Sequence, residues 1–348
     1  MTVSPIQNHS NTMRNFSLLL GVVFLGGTLS SCSNFEKKKH KIGLSMDTYT
    51  QERWQKDGEF FKKKVEELGG EVVMLYANGN EQLQNEQIET IINKGVEVLV
   101  IVPHNSKSCA LPVKLAHEKG IKVISYDRLI KDCDLDLYVS FDNEKVGQLQ
   151  ASYLLNLVPK GNYLMIGGAA TDQNSFMIRK GQMSVLQAAV DKGEIKIVSD
   201  QFAKDWLPYQ ALKHTEDALA LTHNKIDAVL AANDGLASGV IQSLSENELA
   251  GKIPVSGMDA ELSALKRIQD GTQSMTVYKS ISSIAATAAE AAMAFAKKET
   301  PKGIVGTVNN GKLDLPAILL NPVVVDKNNI DQTVVADGYI LKNQLKKK

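Results

Sequence analysis

Val98-Leu99-Val100-Ile101-Val102 is a continuous run of aliphatic residues, bounded on its amino-terminal side by glycine. A run without polar alternation is typical of a strand that is buried on both faces, as in a parallel sheet covered by helices. Similar runs occur at 42–46 and 72–76, and amphipathic stretches at 54–67 and 81–93 separate the three runs. This βαβαβ rhythm predicts an α/β fold with a parallel sheet.

The same rhythm restarts after residue 142. A helical face formed by Val146, Leu149, Tyr153 and Leu157 is followed by further strands separated by helices. These strands are predicted at 162–166, 195–199, 226–231 and 253–256. Without its first 31 residues, which are considered next, the chain of 348 residues retains 317. This length is long for one core but suits two lobes of about 150 residues each. We therefore predict two doubly wound parallel-sheet lobes with a cleft between them.

The amino-terminal 31 residues have the layout of a secretory signal. Met13-Arg14 precedes an apolar run at 16–25, which is shorter than the roughly 20 residues needed to cross a bilayer. Leu29-Ser30-Ser31-Cys32 resembles a bacterial lipobox, which implies that Cys32 is lipidated after removal of residues 1–31. We predict an exported protein of the periplasm or cell envelope, with residues 32–40 as a tether to a lipid anchor in the membrane.

The balance of charge argues against a nucleic acid partner, whereas the cysteine content leaves the disulfide question open. Lys and Arg total 39, as do Asp and Glu, and no basic stripe with interleaved aromatic residues is present. A nucleic acid partner is therefore not expected. Cys109 and Cys133 either form a disulfide in the exported protein or remain free thiols, and the sequence leaves both alternatives open.

Polar residues follow most of the predicted strands. Ligands of open α/β sheets bind beyond the carboxyl ends of the strands, so these residues are candidates for a binding site. They are Asp127, Arg128, Asp172, Asn174, Asn233, Asp259 and Lys279, with Arg53 after the first strand. Asp172, Asn233 and Asp259 taken singly are also typical helix caps. Caps need no Arg or Lys, however, so the whole set favours a ligand site.

The mixture of residue types fits a polyhydroxylated ligand. Carboxylate and amide oxygens accept from sugar hydroxyls, whereas Arg, Lys and amide nitrogens donate to them. Trp54 and Trp206, each beside charged residues, are candidates for stacking on the sugar ring. Core packing is the alternative role for either tryptophan.

Common enzyme and cofactor motifs are absent from the sequence, including the phosphate loop, G-x-G-x-x-G, G-x-S-x-G and H-E-x-x-H. The histidines are interpreted as surface or packing residues. A pair of acids for glycoside hydrolysis, Asp127 with Asp172 or Asp259, remains an alternative. The neighbouring cations would keep these acids ionised, which suits binding better than general acid catalysis. We therefore expect no enzymatic activity, no cofactor and no metal.

Five motifs carry a resemblance to the periplasmic sugar-binding proteins of the D-xylose type, the solute receptors of ABC importers. They are ERWQKD at 52–57, ANGNE at 77–81, SYDR at 125–128, SFDNEKVG at 140–147 and TVYK at 276–279. The resemblance runs from Lys41 to about Asp326 and implies a pentose ligand, with D-xylose favoured. It assigns the sugar contacts to Arg53, Trp54, Asp127, Arg128, Asp172, Asn174, Trp206, Asn233, Asp259 and Lys279.

The resemblance also implies a periplasmic binding protein type 1 fold with a three-strand hinge. Chain crossovers are then expected near 142, 260 and 314, so that residues 41–142 and 261–313 form the first lobe, and residues 143–260 and 314–348 form the second. The implied protein is a monomer that delivers sugar to the membrane subunits of an ABC permease. A sensor subunit that signals to a membrane sensor or chemoreceptor is the main alternative, and an exported sugar-modifying enzyme is less favoured.

Overall fold

The computed structural model describes residues 39–346. The predicted signal peptide, Cys32 and the tether up to residue 38 lie outside this range. Within it, no helix combines the length and apolar character required to cross a membrane.

The strands are β1 (His40–Met46), β2 (Gly70–Tyr76), β3 (Val98–Ile101), β4 (Lys122–Tyr126), β5 (Leu137–Phe141), β6 (Gly161–Gly167), β7 (Ile195–Phe202), β8 (Ala228–Ala231), β9 (Thr276–Tyr278), β10 (Gly306–Asn309), β11 (Asp314–Leu320) and β12 (Val323–Val325). The α-helices are α1 (Glu52–Glu67), α2 (Glu81–Asn93), α3 (Ala110–Glu118), α4 (Asn143–Leu157), α5 (Gln173–Asp191), α6 (Pro208–Thr222), α7 (Asp234–Glu246), α8 (Leu262–Asp270) and α9 (Ile281–Ala296).

Seven strands form one sheet in the order β10-β11-β5-β4-β3-β1-β2, and all neighbours are parallel except β10 and β11. Phe61 of α1 and Ile284 of α9 belong to the apolar cluster on one face of this sheet. Ile88 of α2 and Val113 of α3 belong to the cluster on the other face. We call this sheet with α1–α3 and α9 the first lobe.

The second sheet has three parallel strands in the order β7-β6-β8. Single bridges, Val229 to Val255 and Met258 to Val277, continue it toward the antiparallel pair β9 and β12. We call these strands with α4–α8 and the carboxyl-terminal residues 326–346 the second lobe. The predicted fold class, two α/β lobes with parallel sheets covered by helices, is confirmed.

The chain passes between the two sheets after β5, after β9 and after β11. The predicted crossovers near 260 and 314 are therefore wrong. Strand β11 pairs in parallel with β5 of the first lobe, with Ala317 opposite Tyr138. Helix α8 packs with Val334 and Ile340 in an apolar cluster of the second lobe. Both segments have a pattern that either lobe would accept, and the long-range pairing decides between the lobes.

Helices α4 and α5 touch through their backbones at two glycines. A Cβ atom on Gly147 would lie 2.0 Å from the carbonyl oxygen of Ile178, and one on Gly181 would lie 1.9 Å from that of Glu144. No side chain larger than hydrogen fits at either position without separating the helices. This close contact fixes α5, whose first turn carries Asn174.

Cys109 and Cys133 lie in the same apolar cluster of the first lobe as free thiols. Burial raises the pKa of each thiol to about 12. Because the thiolate is the reactive form, both residues act as small apolar side chains in this packing.

Candidate functional site

The carboxyl ends of strands from both sheets meet at a cleft between the lobes. One cavity in this cleft is lined by Gln51, Met258 and all ten residues that the sequence singled out. These ten are Arg53, Trp54, Asp127, Arg128, Asp172, Asn174, Trp206, Asn233, Asp259 and Lys279. The residues selected by the strand-end rule, by the stacking argument for the tryptophans and by the family resemblance therefore converge in space.

The inner cavity is narrow. Its volume is about 20 Å³, which is room for about one water molecule. A wider groove of about 550 Å³ adjoins it, and Arg53, Arg128, Trp206 and Asp259 are among the residues that line both. A ligand larger than water therefore reaches the inner side chains only when the lobes or these side chains move apart.

Each lobe supplies part of the lining. Helix α1 contributes Arg53 and Trp54, and the turn after β4 contributes Asp127 and Arg128. The second lobe contributes Asp172 and Asn174 at the start of α5, Trp206 after β7, Asn233 after β8, and Asp259. Lys279 lies in the connection that leads from β9 back to the first lobe. A ligand in this cavity would contact both lobes and one of the connections between them.

Arg53 is the centre of a buried ion-pair cluster. Its Nη2 lies 2.9 Å from Asp127 Oδ2 and its Nη1 lies 3.3 Å from Asp259 Oδ1. Lys279 Nζ lies 3.5 Å from Asp127 Oδ2 and 3.4 Å from Asp259 Oδ1. Burial alone would raise the pKa of Asp127, but Arg53, Lys279 and Arg128 outweigh it and lower this pKa to about 2. Asp127 is therefore ionised at neutral pH.

Arg128 forms a second bridge between the lobes. Its Nη1 lies 2.7 Å from Asp47 Oδ2 in the first lobe, and its Nε lies 2.8 Å from Asp172 Oδ2 in the second. Burial favours a higher pKa for Asp47, but the charges of Arg128 and His104 outweigh it and lower this pKa. Burial dominates at Asp172 and raises its pKa. The guanidinium is thus held between two carboxyl groups of different acidity.

The two tryptophans have different surroundings. The Arg53 and Arg128 guanidinium carbons lie 4.1 Å and 5.1 Å from the Trp54 ring centroid, which is cation–π geometry. The Trp54 indole N–H is buried and has no hydrogen-bond partner within residues 39–346. The Trp206 indole N–H donates to Asp172 Oδ2 at 3.2 Å. Both rings thus contact charged residues of the cavity and also pack in the apolar clusters of their lobes.

Helix capping and cavity lining are combined in two of the residues. Asp172 Oδ1 accepts from the backbone N–H of Asn174, and Asn233 Oδ1 accepts from that of Leu236, both at 2.9 Å. Each side chain caps its helix and also lines the cavity, so the two predicted alternatives are compatible. Asp259 is not a cap, because α8 begins after Glu261.

Two acids and one histidine near the cavity are not among the ten residues predicted from the sequence. Asp47 and His104 follow β1 and β3, and His104 Nδ1 lies 2.8 Å from Asp47 Oδ1. Both residues line the wider groove that adjoins the cavity, and their positions after strands are what the strand-end rule selects. Asp57 lies one turn after Arg53 in α1, and its Oδ2 is 3.3 Å from Arg53 Nε. Helical i,i+4 spacing was the available signal.

Two facing α/β lobes with a charged, tryptophan-containing cleft define the class of two-lobed binding proteins. Residues 42–300 match the periplasmic binding protein domain family, and the chain belongs to this family. It is 51 % identical over 308 residues to the D-xylose-binding periplasmic protein of Escherichia coli (strain K12), covering 88 % of this chain and 93 % of that protein. The family predicted from the sequence motifs is confirmed.

A second sequence relative and a solved structure support the same family assignment. The chain is 46 % identical to the D-xylose-binding periplasmic protein of Haemophilus influenzae, covering 96 % of this chain and 99 % of that protein. A solved ABC transporter solute-binding protein from Clostridium phytofermentans with bound β-D-glucose has a TM-score of 0.82 and 30 % identity, covering 88 % of this chain and 100 % of that one. The fold is therefore that of solved solute-binding proteins.

Proposed function

We propose that this chain is a solute-binding protein that captures a monosaccharide, D-xylose, in the cleft and delivers it to an ABC permease. The observation that carries the proposal is the convergence of the ten residues on one cavity between the lobes. Two relatives that are 51 % and 46 % identical are named for D-xylose binding, which supports the choice of sugar.

The ten lining residues supply what sugar recognition requires. Ionised carboxylates accept hydrogen bonds from hydroxyl groups, and the cations and amide nitrogens donate to the same hydroxyls. The faces of Trp54 and Trp206 offer apolar surfaces for the C–H faces of a sugar ring. An epimer with one inverted hydroxyl leaves a buried polar group unpaired, which is the expected source of specificity.

Capture proceeds by closure of the two lobes around the hinge. Arg53 pairs with Asp259, and Arg128 pairs with Asp172, in each case across the cleft. An entering sugar separates these pairs and then bonds to both members of each pair. Ligand that contacts both lobes stabilises the closed arrangement, since it binds that arrangement more tightly than the open one. A permease then distinguishes loaded from unloaded protein by its shape.

The proposal includes export and attachment through lipidated Cys32, followed by a short tether. A lipid-anchored receptor has a higher effective concentration near its permease than a freely diffusing one. The protein acts as a monomer and releases the sugar chemically unchanged. Cations paired with the cleft carboxylates suit this binding role better than acid catalysis.

Isothermal titration calorimetry of purified residues 33–348 tests the function. D-xylose is expected to bind with a Kd of about 1 µM, or about −8 kcal/mol, and more tightly than D-ribose or D-glucose. Absence of heat with all monosaccharides would refute the proposal. Recovery of a chemically altered sugar would favour the enzyme alternative instead.

Gly168→Ala is expected to weaken D-xylose binding about 30-fold while the fold persists. A Cβ atom at this position would lie 2.2 Å from the Trp206 ring, so the ring must move away from Asp172. The lost stacking and indole hydrogen bond each contribute about 1 kcal/mol. Calorimetry gives the affinity, and intrinsic tryptophan fluorescence reports the ring. Gly306→Ala is the control because no atom lies within 4 Å of its Cβ position, and it should bind like the wild type.

A further inference from the structure

Asp259 lies in a strained turn. Its φ is 96° and that of Ala260 is 53°, which are values that residues with a Cβ atom rarely adopt. Such conformations are unfavourable and persist only where the surroundings hold them. The turn therefore needs support from outside itself to present the Asp259 carboxylate to the cavity.

Asp234 supplies this support from both sides of the turn. Its backbone N–H donates to the Met258 carbonyl at 3.0 Å. Its Oδ2 accepts from the Glu261 N–H at 3.0 Å and from the Thr276 hydroxyl at 2.9 Å. The Thr276 hydroxyl oxygen in turn accepts from the Ala260 N–H at 3.2 Å. The residue before Asp259 and the two residues after it are thus bonded to Asp234 directly or through one hydroxyl.

The environment of Asp234 fits only this side chain. The residue is 0 % exposed, and its Oδ1 accepts from the Gln273 amide at 2.7 Å. A Cβ atom on Gly257 would lie 2.0 Å from the same oxygen, so the turn packs directly on the carboxyl group. An asparagine would place its NH₂ group against another donor, either the Gln273 amide or the Glu261 N–H. A donor facing a donor leaves both buried groups unpaired.

We propose that Asp234, which lies outside the cavity, is a positioning residue for sugar recognition that acts by holding Asp259 in its binding conformation. The inference rests on the proposed function for its ligand, and it extends that function to a residue that does not touch the sugar. Thr276 is the second member of this support, since it connects Asp234 to the Ala260 amide. We call Asp234 and Thr276 the turn clamp.

The test compares three replacements at the clamp with a matched control. Thr276→Val removes the hydroxyl at nearly constant volume, and Thr276→Ser keeps it. Thr215→Val removes an equally buried hydroxyl, which in α6 donates to the Ala211 carbonyl, at a site away from the cavity. Asp234→Asn is the fourth variant. Each is assayed for D-xylose affinity by calorimetry, for melting temperature, and for hydrogen exchange at the amides of 260 and 261.

Thr276→Val is expected to bind D-xylose about tenfold more weakly and Asp234→Asn at least as weakly. Thr276→Ser should bind within about twofold of the wild type, and Thr215→Val should lose thermal stability without losing affinity. Wild-type affinity in Thr276→Val, or an equal loss in Thr215→Val, would overturn the inference. If the wild type binds no monosaccharide, the proposed function fails. Faster exchange at 260 and 261 in Thr276→Val but not in Thr215→Val then still supports the clamp, and unchanged exchange overturns it.

Discussion

Asp127→Asn is expected to weaken D-xylose binding about 100-fold or more. The Asp127 carboxylate accepts from Arg53 Nη2 at 2.9 Å and is 3.5 Å from Lys279, and its side chain is 3 % exposed. Loss of its charge removes a charged hydrogen-bond acceptor worth about 1.5–3 kcal/mol and leaves two buried cations with one fewer partner. Because 1.4 kcal/mol corresponds to tenfold in affinity, these effects together exceed 100-fold.

The measurement is calorimetry at pH 7 on Asp127→Asn and on Asp134→Asn. Asp134 pairs with Lys312 on the surface of the first lobe, and its side chain is 62 % exposed. Exposed ion pairs contribute about 0–1 kcal/mol, so this control should retain both affinity and stability. An Asp127→Asn protein that binds D-xylose as tightly as the control would exclude this carboxylate from the sugar site.

The pH dependence of the unfolding free energy is expected to report the ionisation of the Asp127 carboxyl group. The pKa of Asp127 in the folded protein is about 2, below the ordinary value of 3.8. The ionised carboxylate therefore stabilises the fold above pH 3.8, and this contribution disappears as the pH falls toward 2. Urea denaturation between pH 3 and pH 7 should show a smaller fall of the unfolding free energy in Asp127→Asn than in the wild type. An equal fall would mean that Asp127 keeps its ordinary pKa.

The fold class was predictable because continuous aliphatic runs and amphipathic stretches alternate along the chain. The lobe assignments of β11 and α8 were not predictable from the sequence. An apolar run such as Ile318-Leu319-Leu320 can pair in either sheet, and an amphipathic helix can pack on either one. The parallel pairing of β11 with β5 assigns β11 to the first lobe. Local pattern thus identifies elements, and long-range pairing assigns them to lobes.

The residues that line the cavity were more predictable than the crossovers, because most of the polar ones follow strand ends in the two lobes. Sequence position indicates which residues reach the cleft but does not show what holds them there. Asp57 supports Arg53 from the next helical turn, and Asp234 supports Asp259 from the start of α7. Both acids are buried, and a buried acid behind a cavity-lining residue has the same appearance in sequence as a helix cap or a surface charge.

Gly181→Ala is expected to lower the unfolding free energy by about 3 kcal/mol, and the melting temperature by about 6 °C or more. The added Cβ would lie 1.9 Å from the Glu144 carbonyl oxygen, which is a backbone atom and cannot rotate away. Helices α4 and α5 must therefore separate along their contact. Gly235→Ala in α7 is the control, since its Cβ has no neighbour closer than 3.6 Å. That variant should gain about 0.4–1 kcal/mol, because alanine restricts the unfolded chain.

The double variant Gly147→Ala/Gly181→Ala separates local crowding from loss of the helix contact. Gly147 meets the Ile178 carbonyl of α5, and Gly181 meets the Glu144 carbonyl of α4, so one outward shift of α5 relieves both clashes. The loss in the double variant should then be smaller than the sum of the two single losses by at least about 0.5 kcal/mol. Chemical denaturation of the four proteins measures this coupling. Strict additivity would mean that each glycine is accommodated by its own local adjustment and that the helix pair does not move as one unit.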